Sequence, residues 1–200
     1  MIKQNVNIIR SFKRLLKVLE PYVKDFRLMI KEKKFPGCHL RPMEVWGNWL
    51  ICAVLRKYIS GEITFADDPE GDGIILDKRD GSFRYTEHVS AVDNPFSKQN
   101  LDTGEKRIIE RIKIKIALGD NYADGKILIA FFDGVGLWYR NKVREAISGK
   151  HKFYKVYLIG LLSKDEHGFA YSVTELHENN STTFKVQINP NFDSWSVSKM

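Results

Sequence analysis

The segment Ile127-Leu-Ile-Ala-Phe-Phe132, preceded by Lys126, is a nearly continuous apolar run. A run without polar alternation predicts a central strand covered on both faces, since a half-exposed strand would place a polar residue at every second position. Such a strand needs a layer of structure on each side of its sheet. Phe153–Leu162 predicts a second strong strand, and Leu137–Ile147 between them predicts a helix.

The segment before this run holds a different pattern. Pro42 suits the first turn of a helix that runs to Ile59 and stops at Ser60-Gly61. That helix is apolar almost all round (Val45, Trp46, Trp49, Leu50, Ile51, Val54), which predicts burial. Three short strands follow at Glu62–Ala66, Gly73–Leu76 and Phe83–Ala91, with a hairpin turn at Lys78-Arg79-Asp80-Gly81. Asp93-Asn94-Pro95 ends the block. Asp102 and Glu105 resemble a capping box, opening a helix over residues 102–118. Two or three alternating strands fill Gly168 to Val197. Hairpins first and helix-connected strands later predict an α/β fold: a central mixed β-sheet flanked by helices. Residues 1–41 read as a basic helical N-terminal arm, 42–162 as the α/β core, and 163–200 as a β-rich extension packed on that core.

Charge is distributed unevenly. Residues 1–41 carry eleven Lys/Arg and three acids, a net +8, so the remainder of this +7 chain nets −1. Within the arm, Ile8, Ile9, Phe12, Leu15, Leu16 and Leu19 recur at helical spacing, with Pro21 starting a second helix or kinking the first. A basic face on a near-neutral body suits an anionic partner such as nucleic acid, and equally suits a solvated amphipathic helix. No run of about 18 uncharged apolar residues is present, so no transmembrane helix is expected. The N-terminus does not read as a signal peptide. Cys38 and Cys52 lack zinc-ligand spacing and read as free thiols of a reducing, cytoplasmic setting, with Cys52 in the core.

Residues 62–93 contain nine acids and three bases. Two acids stand apart. Asp72, in Gly71-Asp72-Gly73, leads directly into Ile74-Ile75-Leu76, and Glu87 lies inside the strand Tyr85–Ala91. A carboxylate in a strand-forming segment must face solvent or a partner, because burying it unpaired is costly. Two carboxylates on neighbouring strands can converge on one Mg²⁺, which commonly takes only one or two protein carboxylates and keeps several waters. Glu44, in the first turn of the buried helix, can act as a third acid through a water. The plainer reading makes Asp72 a turn residue and Glu44 a residue favoured near a helix N-terminus.

The succession of a helix with an early Glu, a hairpin carrying Gly-Asp-Gly, a strand carrying Glu87, a helix and a strand resembles the PD-(D/E)xK nuclease superfamily, with its restriction-endonuclease-like fold. The resemblance covers roughly residues 42–162. It implies Mg²⁺-dependent hydrolysis of phosphodiester bonds, in DNA more than RNA. Asp72 corresponds to the first Asp of the motif, Glu87 to its second acid, and Glu44 to the helix acid of many members. The sequence departs at Val89, which stands where the family has its lysine. His88 cannot replace that lysine, because adjacent strand residues point to opposite faces. Some members carry a catalytic residue on a neighbouring helix, and Lys106 and Lys113 are the candidates here.

Other features carry less. His88 reads as a packed or hydrogen-bonded strand residue rather than a ligand. His39, His151, His167 and His177 are scattered. Asp133-Gly-Val-Gly136 lacks the third glycine of a dinucleotide fingerprint and reads as a turn. Trp195 fits strand packing. Two alternatives to a nuclease stay open: a non-catalytic nucleic-acid-binding protein on the same fold, and a protein-interaction or scaffold module, with a homodimer as one form.

Overall fold

The computed structural model describes residues 7–92, 104–132 and 138–200. Among these residues the strands form one nine-stranded sheet whose spatial order follows the chain. Its members are β1 (Asn7–Ile8), β2 (Ile63–Asp67), β3 (Ile74–Asp77), β4 (Phe83–Ala91), β5 (Ile127–Phe132), β6 (Lys155–Asp165), β7 (Gly168–Leu176), β8 (Ser181–Ile188) and β9 (Trp195–Lys199). Neighbours pair antiparallel except at β4–β5 and β5–β6, which are parallel. Parallel neighbours need a crossover, and helices occupy both connections. Helix α4 (Gly104–Ile116) and the single turn α5 (Asp120–Ala123) lie between β4 and β5, and α6 (Arg140–Ile147) lies between β5 and β6. The expected mixed α/β sheet with helices on both faces is thus observed.

The two faces have separate cores. On one, α1 (Phe12–Lys24), α2 (Phe26–Lys31) and α3 (Pro42–Tyr58) pack over Phe65, Ile129, Phe131, Tyr157 and Val173. On the other, Ile108 and Ile112 of α4 and Val143 and Ile147 of α6 cover Leu128, Ala130, Val156 and Leu158. All six residues of β5 are buried, as its continuous apolar run requires.

The N-terminal helices belong to this core. Leu16 and Leu19 are fully buried, and truncating either to alanine should cost about 2–5 kcal/mol. Helix α1 begins at Ser11, whose side chain accepts a hydrogen bond from the Arg14 amide. It runs through Pro21, and Asp25 then caps α2 by accepting from the Arg27 amide. Pro21 therefore neither starts the second helix nor ends the first. The aromatic rings of Phe12, Trp49 and Trp195 meet at centroid distances of 5.1–6.4 Å, joining α1, α3 and β9. At the far end of the chain, β7 pairs with β6 from Val156 to Asp165 and is buried throughout, so residues 168–199 continue the sheet itself.

Element boundaries shift little from expectation. Strand β4 spans Phe83–Ala91, and α3 ends at Tyr58. Helix α6 starts at Arg140, with Trp138 and Tyr139 outside it. Ile8 and Ile9, expected on the first helix, precede it: Ile8 lies in the short β1, which pairs with β2 at one edge and, with only two residues, carries no strand signal. Asp93-Asn94-Pro95, Asp102 of the capping box and Asp133–Gly136 lie outside the described residues. Cys38 and Cys52 are free thiols, and burial raises both above the ordinary range, Cys38 to about 11. No helix among the described residues is long and apolar enough to cross a membrane.

Candidate active site

Asp72 is held from three directions. Its backbone carbonyl accepts hydrogen bonds from the Asn48 amide (2.9 Å) and the Thr86 hydroxyl (3.0 Å). Its carboxylate Oδ2 accepts from the backbone N–H of His88 at 2.6 Å. Asn48 is completely buried within α3, and a polar side chain there needs a partner. Gly73 makes the approach between α3 and β3 feasible. Its φ is +122°, and a Cβ at that position would collide with the Asn48 amide nitrogen. The Gly-Asp-Gly motif is thus a backbone device that fixes Asp72 beside β4.

Glu87 points to the α4 face, where Leu128 is its register partner. Val89, two residues on, packs under α4 with the apolar cluster of that face. The cation is supplied from elsewhere. Lys115 Nζ of α4 lies 3.0 Å from Glu87 Oε2, and Lys126 Nζ, just before β5, lies 2.8 Å from Oε1. The Tyr122 hydroxyl donates a short hydrogen bond to Oε2 and also lies 3.0 Å from Lys115 Nζ. Lys126 Nζ further sits 4.1 Å from the centre of the Tyr122 ring, a cation–π arrangement.

Lys106 and Lys113, the helix lysines singled out by sequence, are not the ones that reach Glu87. Relative to Ile108, Lys115 sits about 20° away on the helical wheel, whereas Lys106 and Lys113 sit about 140–160° away. Ile108 and Ile112 are buried against the sheet, so only Lys115 of the three shares their face. The legible signal was a lysine continuing a buried apolar stripe.

Glu44 sits at the third position of α3, where its Oε2 accepts from the Arg41 backbone N–H at 2.7 Å. Its other oxygen lies 3.5 Å from Arg41 Nε. It caps its own helix, and its charge and that of Asp72 act on one another.

The electrostatics divide the acids. Burial pushes Asp72 above the ordinary carboxylate range; the His88 amide opposes this, and the charge of Glu87 adds to it. Burial likewise raises Glu44, against the Arg41 amide and with the charge of Asp72. Burial acts on Glu87 in the same direction, but hydrogen bonds from Lys126, Tyr122 and Lys115 together outweigh it and hold Glu87 below that range. Lys115 is raised despite its burial, because Tyr122 and Glu87 stabilise the ammonium. The site therefore contains one ionised, fully partnered carboxylate and two under-compensated ones.

His88 projects to the opposite face, against Gly47 of α3 and the Phe131 ring. Burial pushes its imidazole down to about 3, and neither ring nitrogen has a hydrogen-bond partner among the described residues. The ring is neutral, so its Nδ1 at 3.9 Å from Asp72 Oδ2 forms no ion pair. It is a packed strand residue, as expected from alternation.

Among the described residues no three His, Cys, Asp or Glu side chains converge into a protein-only metal cage. A hard divalent cation that keeps most of its waters needs only one or two protein carboxylates. Asp72 Oδ1 accepts no hydrogen bond among the described residues, and burial raises both Asp72 and Glu44. Sequence reasoning missed Lys115, Lys126, Tyr122 and Asn48. Asn48 was detectable as the lone amide in an apolar helix. Lys126 and Tyr122 carry no local signal, since their approach to Glu87 depends on the β4–β5 parallel register. No protein family, curated protein or solved structure matches the chain.

Proposed function

We propose that this protein is a PD-(D/E)xK-like nuclease that hydrolyses phosphodiester bonds in DNA, with Asp72 and Glu87 as its acids and Lys115 in place of the strand lysine. One observation carries the reading: an ammonium from α4 meets Glu87 on the sheet face where Val89 leaves the motif lysine missing. Asp72, assisted by Glu44 through water, would hold Mg²⁺, with Glu87, whose oxygens are taken by Lys115, Tyr122 and Lys126, contributing charge to the site rather than a free oxygen. The bound ion would supply an activated water and offset negative charge on the phosphate oxygens.

The chain's own groups have distinct tasks. Lys115 places a positive charge beside Glu87, where it can orient a water and stabilise charge developing on a phosphate. Tyr122 fixes that ammonium by bonding both Lys115 and Glu87. Lys126 occupies the second carboxylate oxygen and keeps Glu87 ionised. Exposed Lys13, Arg14, Lys31, Lys33 and Lys34 offer phosphate contacts that add affinity without reading sequence.

The test is cleavage of plasmid DNA with Mg²⁺ or Mn²⁺ by the wild type, Asp72→Asn and Lys115→Met. Metal-dependent cleavage lost in both variants supports the reading; cleavage unchanged in Asp72→Asn removes it. A second reading rests on the three donors that saturate Glu87. On that reading Glu87 is a structural anion, and the protein binds nucleic acid or a protein partner without turnover. Salt-sensitive DNA binding with no cleavage in either metal would favour it.

A further inference from the structure

Tyr154 is a large aromatic residue that the core does not use. It is 54% exposed, between the isolated bridge at Phe153 and the start of β6. The Arg84 guanidinium lies 4.7 Å from its ring centre and Lys155 Nζ lies 5.9 Å from it. With the guanidinium closest over the ring and half of the residue still exposed, an aromatic beside two cations is the combination that holds a nucleobase by stacking and its phosphate by charge.

Its position ties it to the acids. The Tyr154 backbone N–H donates to the Lys126 carbonyl at 2.8 Å, and the Lys126 ammonium lies 2.8 Å from Glu87. A single residue, Lys126, therefore connects the Tyr154 backbone to the carboxylate. Tyr154 also forms a wall of a cleft of 490 Å³, lined further by Arg144, Ser148, His151, Lys155 and His177. That volume is within the range of about 300–1,000 Å³ typical of single small-ligand sites. Lys155 is anchored there by the buried Glu175 at 2.6 Å, and Glu175 in turn accepts from the Tyr157 hydroxyl at 3.1 Å. Arg144 is only 16% exposed and holds its neighbours at 3.3 and 3.5 Å, which leaves its guanidinium loosely engaged.

We infer that Tyr154, with Arg84 and Lys155, is a stacking platform for one unpaired base of a DNA strand whose backbone passes the Glu87 end of the site. This rests on the nuclease reading and narrows its substrate to DNA with a single-stranded, flapped or flipped-out nucleotide. Stacked bases within a duplex present only their edges, so blunt duplex gains nothing from the platform.

The test measures fluorescence anisotropy at low salt and without divalent metal, using a labelled oligo-dT strand and a blunt duplex of equal length. Wild type, Tyr154→Ala and Tyr154→Phe are compared, with thermal melts confirming that each folds. Tyr154→Ala is expected to bind oligo-dT at least about tenfold more weakly, duplex binding should stay unchanged, and Tyr154→Phe should retain wild-type affinity. Equal affinity of wild type and Tyr154→Ala for oligo-dT, equal losses on both DNAs, or no binding of oligo-dT by the wild type would each overturn the platform. Cleavage of a flapped duplex and of plasmid by the same proteins, with Mg²⁺ or Mn²⁺ added, keeps the two ideas apart. Cleavage without the selective loss removes the platform alone, whereas the selective loss without any cleavage removes the nuclease and leaves a base-binding site.

Discussion

Replacing Glu87 with glutamine removes a negative charge from between two ammonium groups and leaves the side-chain shape almost unchanged. The Lys115 and Lys126 nitrogens lie 3.0 and 2.8 Å from its oxygens. At an effective dielectric near 20, each pair carries about 5–6 kcal/mol of gross attraction. Most of this offsets the cost of taking three charges out of water, so the net effect is far smaller. Removing one partner of a fully buried pair costs about 3–5 kcal/mol. Here the lysine side chains are 20% and 25% exposed and regain some hydration, and Tyr122 can still donate to the amide oxygen. The expected loss is about 2–3 kcal/mol, which lowers Tm by about 4–12 °C in a chain of this size. The pH dependence sharpens the test. Glu87 titrates below its ordinary value in the folded protein, so its stabilisation is present above that value and disappears as pH falls through the folded one. Calorimetry of wild type and Glu87→Gln should show the full gap above about pH 5.5 and a closing gap below about pH 4. A gap that is absent at pH 7, or constant from pH 3 to 7, would refute the ion-pair account of Glu87.

Asp72 should respond with the opposite sign. Its folded value is raised, so its charge costs stability once pH exceeds the ordinary Asp value. Asp72→Asn should therefore raise Tm at pH 7 by roughly 1–8 °C, with no gain below about pH 4, in the same calorimeter. The wild type should also gain thermal stability with millimolar Mg²⁺ or Mn²⁺, and Asp72→Asn should not. Lys115→Met should reduce metal-dependent plasmid cleavage by at least about 10²-fold, whereas Lys106→Ala should leave it within about threefold. Gly73→Ala combines a φ of +122° with a collision at Asn48, so chemical denaturation should show a loss of at least about 2 kcal/mol.

Sequence patterns carried most of the fold because they reflect burial. The apolar run of β5, the apolar helix α3 and the Gly81 turn each have a local physical cause, and each element appears where that cause stands. Glu87 is legible because a carboxylate inside a strand requires an external explanation, whereas Asp72 stands in the bend before β3 and is set apart by its bond to the His88 amide. The cations were not legible in the same way. Lys115 stands 28 residues from Glu87 and Lys126 stands 39, and only the crossover through α4 with the parallel register brings them together. Lys106 and Lys113 share the helix with Lys115 but not its rotation about the axis. The buried Ile108 and Ile112 already marked the correct face.

Because spatial order follows chain order, each strand can add to an edge that already exists as the chain leaves the ribosome. The ring cluster of Phe12, Trp49 and Trp195 works against an early finish. It leaves the first long helix and the central helix with a missing aromatic neighbour until β9 is in place. Synthesis can thus lay down the sheet progressively while the seam that closes it waits for one tryptophan of β9. A nascent chain halted before Trp195 would hold the acids of the site on a scaffold still open along one side.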